Sequence, residues 1–167
     1  QSSVNTDGLI VQTKLTPIRP LKNTLPRPRL TERLLQALDY PVTILQAGTG
    51  YGKTTALAEL AHRNIPIVWY HLEADDADRL VFLTHLLRGF YGVFDSLSSV
   101  PMAVIGAWSS SHLTSPAMVA DALVNELNQH LTEHALLILD DAHLLNESPE
   151  VLELLERLIK HAPPSLH

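Results

Sequence analysis

Val42-Thr43-Ile44-Leu45-Gln46-Ala47-Gly48-Thr49-Gly50-Tyr51-Gly52-Lys53-Thr54-Thr55 decides the fold. An apolar, β-branched run passes through glycines at alternate positions and ends in Lys-Thr-Thr. The helix-compatible Ala56-Leu57-Ala58-Glu59-Leu60-Ala61 follows at once. Strand, glycine loop, Lys-Thr and helix is the order that a phosphate cradle requires. Glycines let backbone N–H groups converge on phosphate oxygens without Cβ clashes. The helix start adds unpaired donors and the positive end of its dipole. In this reading Gly48, Thr49, Gly50, Tyr51, Gly52, Lys53, Thr54 and Thr55 bind the nucleotide, with Lys53 reaching the β- and γ-phosphates and Thr54 ligating Mg²⁺. The pattern G-x-x-x-x-G-K-[ST] starts at Ala47 here, and Ala suits that turn at negative φ.

A phosphate loop that uses Mg²⁺ needs a carboxylate at the end of a neighbouring buried strand. Ala135-Leu136-Leu137-Ile138-Leu139-Asp140-Asp141 supplies it. Five apolar residues in a row suit a strand covered on both faces of a parallel sheet. The carboxylates then fall at its C-terminal end, where open α/β sheets bind ligands. Asp140 is the expected metal partner, through water. Asp141, grouped with Lys53 as catalytic, is placed to orient or deprotonate the attacking water. Alone, the Asp pair could instead cap the following turn.

Composition bounds the rest. The 167 residues make one ordinary domain, and 46% hydrophobic with 18% charged residues is a globular balance. A net charge of −6 with no basic stripe argues against direct DNA binding by this segment. Without cysteine, disulfides, thiol catalysis and thiolate metal sites are excluded. No apolar run spans a membrane and no signal peptide is visible, so a cytoplasmic protein with no membrane partner is expected. The chain begins at Gln1 without Met, which is read as a processed or cut start.

Along the chain, residues 1–30 read as an N-terminal extended arm and 31–167 as the nucleotide-binding domain. Leu9-Ile10-Val11 either adds a short strand or packs on the surface. The arm is rich in Pro and basic residues, including Arg19, Lys22, Arg27 and Arg29, and reads as either a solvated linker or a nucleotide contact. Thr31 is the expected N-cap of a helix over Glu32–Leu38, with Leu30 and Leu35 as a staple. Ile67–His71 reads as a second strand, and Glu73-Ala74-Asp75-Asp76 as the start of a helix with Leu80, Leu83, Leu87 and Phe90 inward. Residues 93–115 form a long serine-rich connection, with one helical turn near Met102–Trp108. Ser115-Pro116 and Ser148-Pro149 start two further helices. Their core faces are Val119, Leu123, Leu127 and Leu131, then Val151, Leu154, Leu155, Leu158 and Ile159. Alternating strands and helices give an α/β fold, a parallel sheet flanked by helices. The nine histidines are scattered and lack a metal-ligating constellation; His143 is either near the nucleotide or a turn residue. Trp69 and Trp108 read as packing residues.

Four segments carry a resemblance, in order: Leu25-Pro26-Arg27-Pro28-Arg29-Leu30-Thr31-Glu32-Arg33-Leu34, Ala47–Thr55, Trp69-Tyr70-His71-Leu72-Glu73 and Leu139-Asp140-Asp141-Ala142-His143-Leu144. They resemble the nucleotide-binding module of MalT-like, LuxR-type transcription regulators, P-loop NTPases of the STAND class of signal-transduction ATPases. The resemblance implies a switch that holds ADP when inactive, takes ATP on induction and then self-associates, with slow Mg²⁺-dependent hydrolysis at most. It places Arg27 near adenine and ribose. Gln46-Ala47 stands where the family has Pro or Ala-Ala, and Ala142 where it has Tyr; neither touches phosphate. The family's next strand, inserted between the two motif strands, is expected to begin at Pro163–His167. The chain is therefore expected to be the N-terminal part of a longer regulator, with downstream domains as its partners. A metabolic P-loop enzyme such as a kinase, or an interaction module with a vestigial site, are the alternatives. The first needs an acceptor site that no stretch offers. Lys53, Thr54 and Asp140 disfavour the second.

Overall fold

The computed structural model describes residues 10–17, 25–48, 50–97, 103 and 115–167. Among them, the strands β1 (Ile67–His71) and β2 (Leu136–Asp140) pair in parallel. Ile67 lies opposite Leu136 and His71 opposite Asp140. Helices cover both faces of the pair: α1 (Pro28–Leu35) and α2 (Lys53–Ala58) on one, α3 (Arg79–Val93), α4 (Pro116–His130) and α5 (Pro149–His161) on the other.

The alternation of a strand sorts its side chains between these layers. Trp69, Leu136 and Ile138 pack with Leu34, Ala56 and Leu60 on the α1–α2 face. Val68, Tyr70 and Leu72 turn to the other face, where Phe82, Leu86, Leu123, Leu127, Val151 and Leu154 make the larger core. The uninterrupted apolar run of β2 is thus used on both sides, as expected. Each large aliphatic or aromatic side chain buried there contributes about 1.5–3 kcal/mol.

Several expected elements differ. Val42–Gln46 does not form a strand; Ile44 is 85% exposed. Among the described residues no strand lies beside it to complete its hydrogen bonds. The nearby edge of β2 is met instead by Leu166, which forms a parallel bridge with Ala135. The Leu137 N–H donates to the His167 carbonyl (2.8 Å), and His167 Nδ1 lies 2.9 Å from the Tyr40 carbonyl. The first helix starts at Pro28, with Arg27 at the N-cap, so Thr31 is buried inside it and does not cap it. Proline at the first helical position has no N–H to leave unpaired, and this outweighs the Thr signal. That helix gives way at Gln36 to a 3-10 turn ending at Asp39.

Residues Ala74–Ala77 form their own 3-10 turn, and Asp78 caps α3 by accepting from the Leu80 and Val81 N–H groups. Ser115 caps α4 as expected, with Oγ accepting from Met118 N–H. Ser148 precedes α5, but its hydroxyl donates to the Ala77 carbonyl (2.7 Å) and caps nothing. Ile159 on α5 is half exposed, outside the core stripe. Apart from Ala103, the turn expected near Met102–Trp108 lies outside the described residues, as do Leu9 and Trp108.

The segment from Ile10 to Pro17 adds a contact that the sequence reading did not foresee. A 3-10 turn at Gln12–Leu15 buries Lys14 to 2% exposure. Its ammonium bonds Asp75 (2.8 Å) and Asp76 (3.0 Å) and lies 3.3 Å from Glu73. Burial pulls the lysine down, but these three carboxylates outweigh it and hold its pKa above the ordinary value. Val11 N–H donates to His85 Nε2, docking the segment on α3.

Candidate functional site

The site is built where the glycine loop meets the C-terminal ends of β1 and β2. Gly50 and Gly52 have φ of 81° and 76°, a left-handed conformation that glycine takes without steric cost. Tyr51, exposed, closes the turn with its N–H toward the Gly48 carbonyl (3.4 Å). Lys53 opens α2, and its ammonium donates to the carbonyls of Ala47 (2.7 Å) and Gly48 (3.2 Å). Thr55 lies in the first turn of the same helix, and Thr49 is outside the described residues. Arg27 stands beside the loop, its guanidinium 3.8 Å from where a Cβ on Gly52 would sit.

The second half of the site comes from the sheet. Asp140 follows Ile138 by two residues, so the pleat turns its carboxylate to the α2 face. There Oδ2 accepts the Thr54 hydroxyl at 2.8 Å, across 86 residues of chain. Asp140 is 4% exposed, whereas the side chain of Asp141 is 40% exposed and its φ is 61°. That left-handed turn redirects the chain, so the two neighbouring carboxylates leave the strand differently. His143 Nδ1 lies 3.9 Å from Asp141 Oδ1.

The geometry thus brings Arg27, Gly48, Gly50, Tyr51, Gly52, Lys53 and Thr54 together, and joins Thr54 to Asp140. Sequence reasoning missed two contacts, one inside the site and one between the helices behind it. His71 ends β1 beside Asp140, with Nδ1 3.5 Å from Oδ2. Glu59 accepts a hydrogen bond from Thr31, fastening α1 to the segment that follows α2. The signal for His71 was its place at the end of a predicted strand; the register needed to align it with Asp140 is not in either segment alone.

A family model for the AAA domain matches residues 37–165, spanning both the glycine loop and the Asp pair. The chain belongs to the AAA domain family. This is a P-loop architecture, and the parallel strands with helices on both faces agree with it. The AAA-domain chain is 27% identical over 156 residues to the HTH-type transcriptional regulator MalT of Vibrio parahaemolyticus. It is 29% identical over 165 residues to the protein of the same name in Yersinia pestis. These matches take in 93% and 95% of the chain, which spans 17% of the length of either relative. The resemblance to MalT-like regulators read from the sequence therefore stands. No helix among the described residues is long and apolar enough to cross a membrane.

Proposed function

We propose that this AAA domain is the ATP- and ADP-binding switch module of a STAND-class, LuxR-type transcription regulator that hydrolyses ATP slowly. The observation that supports this best is the 2.8 Å contact between Thr54 and Asp140, which assembles a hydroxyl and a carboxylate beside a glycine loop. The residues fit a nucleotide and its Mg²⁺. The loop has the left-handed glycines that a phosphate cradle uses, Lys53 supplies an ammonium, and Thr54 and Asp140 supply hard oxygen donors. The cation, when bound, neutralises phosphate charge.

In this reading Lys53 exchanges its bonds to the Ala47 and Gly48 carbonyls for the stronger charge-assisted ones to phosphate oxygens. Thr54 and Asp140, already joined at 2.8 Å, would hold the cation between them. Asp141, partly exposed on its left-handed backbone, orients the attacking water. Arg27 contacts adenine and ribose from beside Gly52. Exchange of ADP for ATP then shifts the domain toward a state that self-associates, with downstream domains of the same protein reading it out. DNA contact is assigned to those domains and not to this one, whose net charge is −6.

The test is Lys53→Ala in the full-length protein that carries this domain. Calorimetry should show ATP and ADP binding weakened by about 10-fold or more, from loss of the ammonium's charge-assisted bonds. Unchanged affinity would overturn the assignment.

A further inference from the structure

His71 is a chemical group that the reading above leaves without a role. It ends β1 directly opposite Asp140, and residues opposed in register put their side chains on one face of a sheet. Its Nδ1 is shut off from solvent, makes no hydrogen bond, and lies 3.5 Å from Asp140 Oδ2. The ring is one-third exposed, so the opposite edge can keep its N–H in water while Nδ1 presents a lone pair inward. A buried polar atom left unmatched costs about 1–3 kcal/mol, so Nδ1 calls for a partner.

Two kinds of partner are open to it. A hydrogen bond to Asp140 needs the pair to close well below 3.5 Å. The two strand ends are pinned by the ladder, with Leu72 N–H bonded to the Asp140 carbonyl at 3.0 Å. A cation needs no such closure. Adjacent donors of an octahedral ion stand about 1.4 bond lengths apart, or about 3 Å for bonds of ~2.1 Å. Thr54 Oγ1, Asp140 Oδ2 and His71 Nδ1 follow one another at 2.8 and 3.5 Å, which brackets that spacing.

We propose that His71 gives the Thr54–Asp140 cation site a nitrogen donor, so that it prefers a first-row transition ion, Mn²⁺ or Co²⁺, to Mg²⁺. This rests on the nucleotide reading and deepens it. Mg²⁺ is hard and keeps oxygen ligands and water, whereas affinity for a nitrogen donor rises from Mn²⁺ to Co²⁺. The side chain that aligns with Asp140 across the sheet therefore sets which ion accompanies the nucleotide.

The experiment measures ADP affinity of the full-length protein in Mg²⁺, Mn²⁺ and Co²⁺, for wild type and His71→Ala. Taking the ratio between proteins cancels the nucleotide's own preference among ions. The transition-ion advantage should fall by about 10-fold in the variant, the scale seen when a metal's supporting shell is altered. Electron paramagnetic resonance of the Mn²⁺–ADP complex should show a nitrogen coupling that shifts on ¹⁵N-histidine labelling; this needs no variant. Nucleotide binding with an unchanged ratio and no nitrogen coupling overturns the inference while leaving the nucleotide reading intact. An equal loss for all three ions also overturns it, because His71 then only positions Asp140. Absence of nucleotide binding with every ion overturns both.

Discussion

Replacing Lys14 with Met keeps the apolar stem and removes only the ammonium, which isolates the charge buried beneath the 3-10 turn at Gln12–Leu15. Its partners are unequal. Asp75 and Glu73 have side chains 63% and 57% exposed, and water takes over from the lysine there, so each contributes at most about 1 kcal/mol. Asp76 is fully buried, and breaking a buried pair costs about 3–5 kcal/mol because a charge is left without compensation. Asp76 does keep the Tyr70 hydroxyl (2.6 Å) and the Glu73 N–H (2.7 Å). Those bonds place Lys14→Met at the lower end, about 3 kcal/mol. For a chain of this size that lowers Tm by about 6–12 °C.

Urea denaturation of wild type and variant supplies the check, with the midpoint falling at constant slope. Asp75→Asn is the internal control and should cost under about 1 kcal/mol. The pH dependence follows from the signs. The Lys14 hydrogen bond holds the Asp75 carboxyl below its ordinary value, so its share is present above about pH 4 and fades as pH falls through the lowered pKa. Lys14 itself is raised, so its share is present below about pH 10.4 and is lost only above that. The difference between wild type and Lys14→Met should therefore stay flat from about pH 5 to 9 and shrink in acid. A cost under about 1 kcal/mol at pH 7 would show that Asp76 is solvated like its neighbours and refute this account.

Other expectations concern the site. Asp141→Asn, whose side chain tolerates the left-handed backbone, should leave ATP affinity intact and slow single-turnover hydrolysis by about 10²-fold or more. Loss of binding at an unchanged rate for bound ATP would reverse the roles given to the two carboxylates. Asp140→Ala should weaken nucleotide binding in the presence of Mg²⁺ and leave metal-free binding unchanged, read by calorimetry with and without chelator. Gly52→Ala forces a side chain into φ 76°, costing about 1–2 kcal/mol by thermal melting and loosening the loop that holds Lys53. At physiological salt the domain alone should give no duplex-DNA gel shift at submicromolar concentration, as its net charge of −6 predicts.

What was legible in the sequence depended on how far apart the deciding residues lie. The glycine loop, the Asp140 strand and the Ser115-Pro116 helix start each declare themselves within a few residues, through backbone freedom, a run of apolar side chains, or a cap beside a proline. The failures sit where a partner far along the chain decides. Val42–Gln46 has the composition of a buried strand, yet a strand exists only as a pair, and no composition states which segment will stand beside it. Ser148 has the form of a cap, but the Ala77 carbonyl, 71 residues away, offers its hydroxyl a bond at 2.7 Å. Lys14 is the sharpest instance. Among the polar residues near the start of the chain nothing marks it as buried, because its reason for being there lies on the turn after β1, at Asp75 and Asp76. The same holds at the candidate site. Lys53 and Thr54 are recognisable from the loop that contains them, whereas His71 acquires meaning only once β1 and β2 are laid side by side in register and it stands opposite Asp140. Local chemistry thus marks the glycine loop, whereas the placing of His71 beside Asp140 depends on a register that only the sheet supplies.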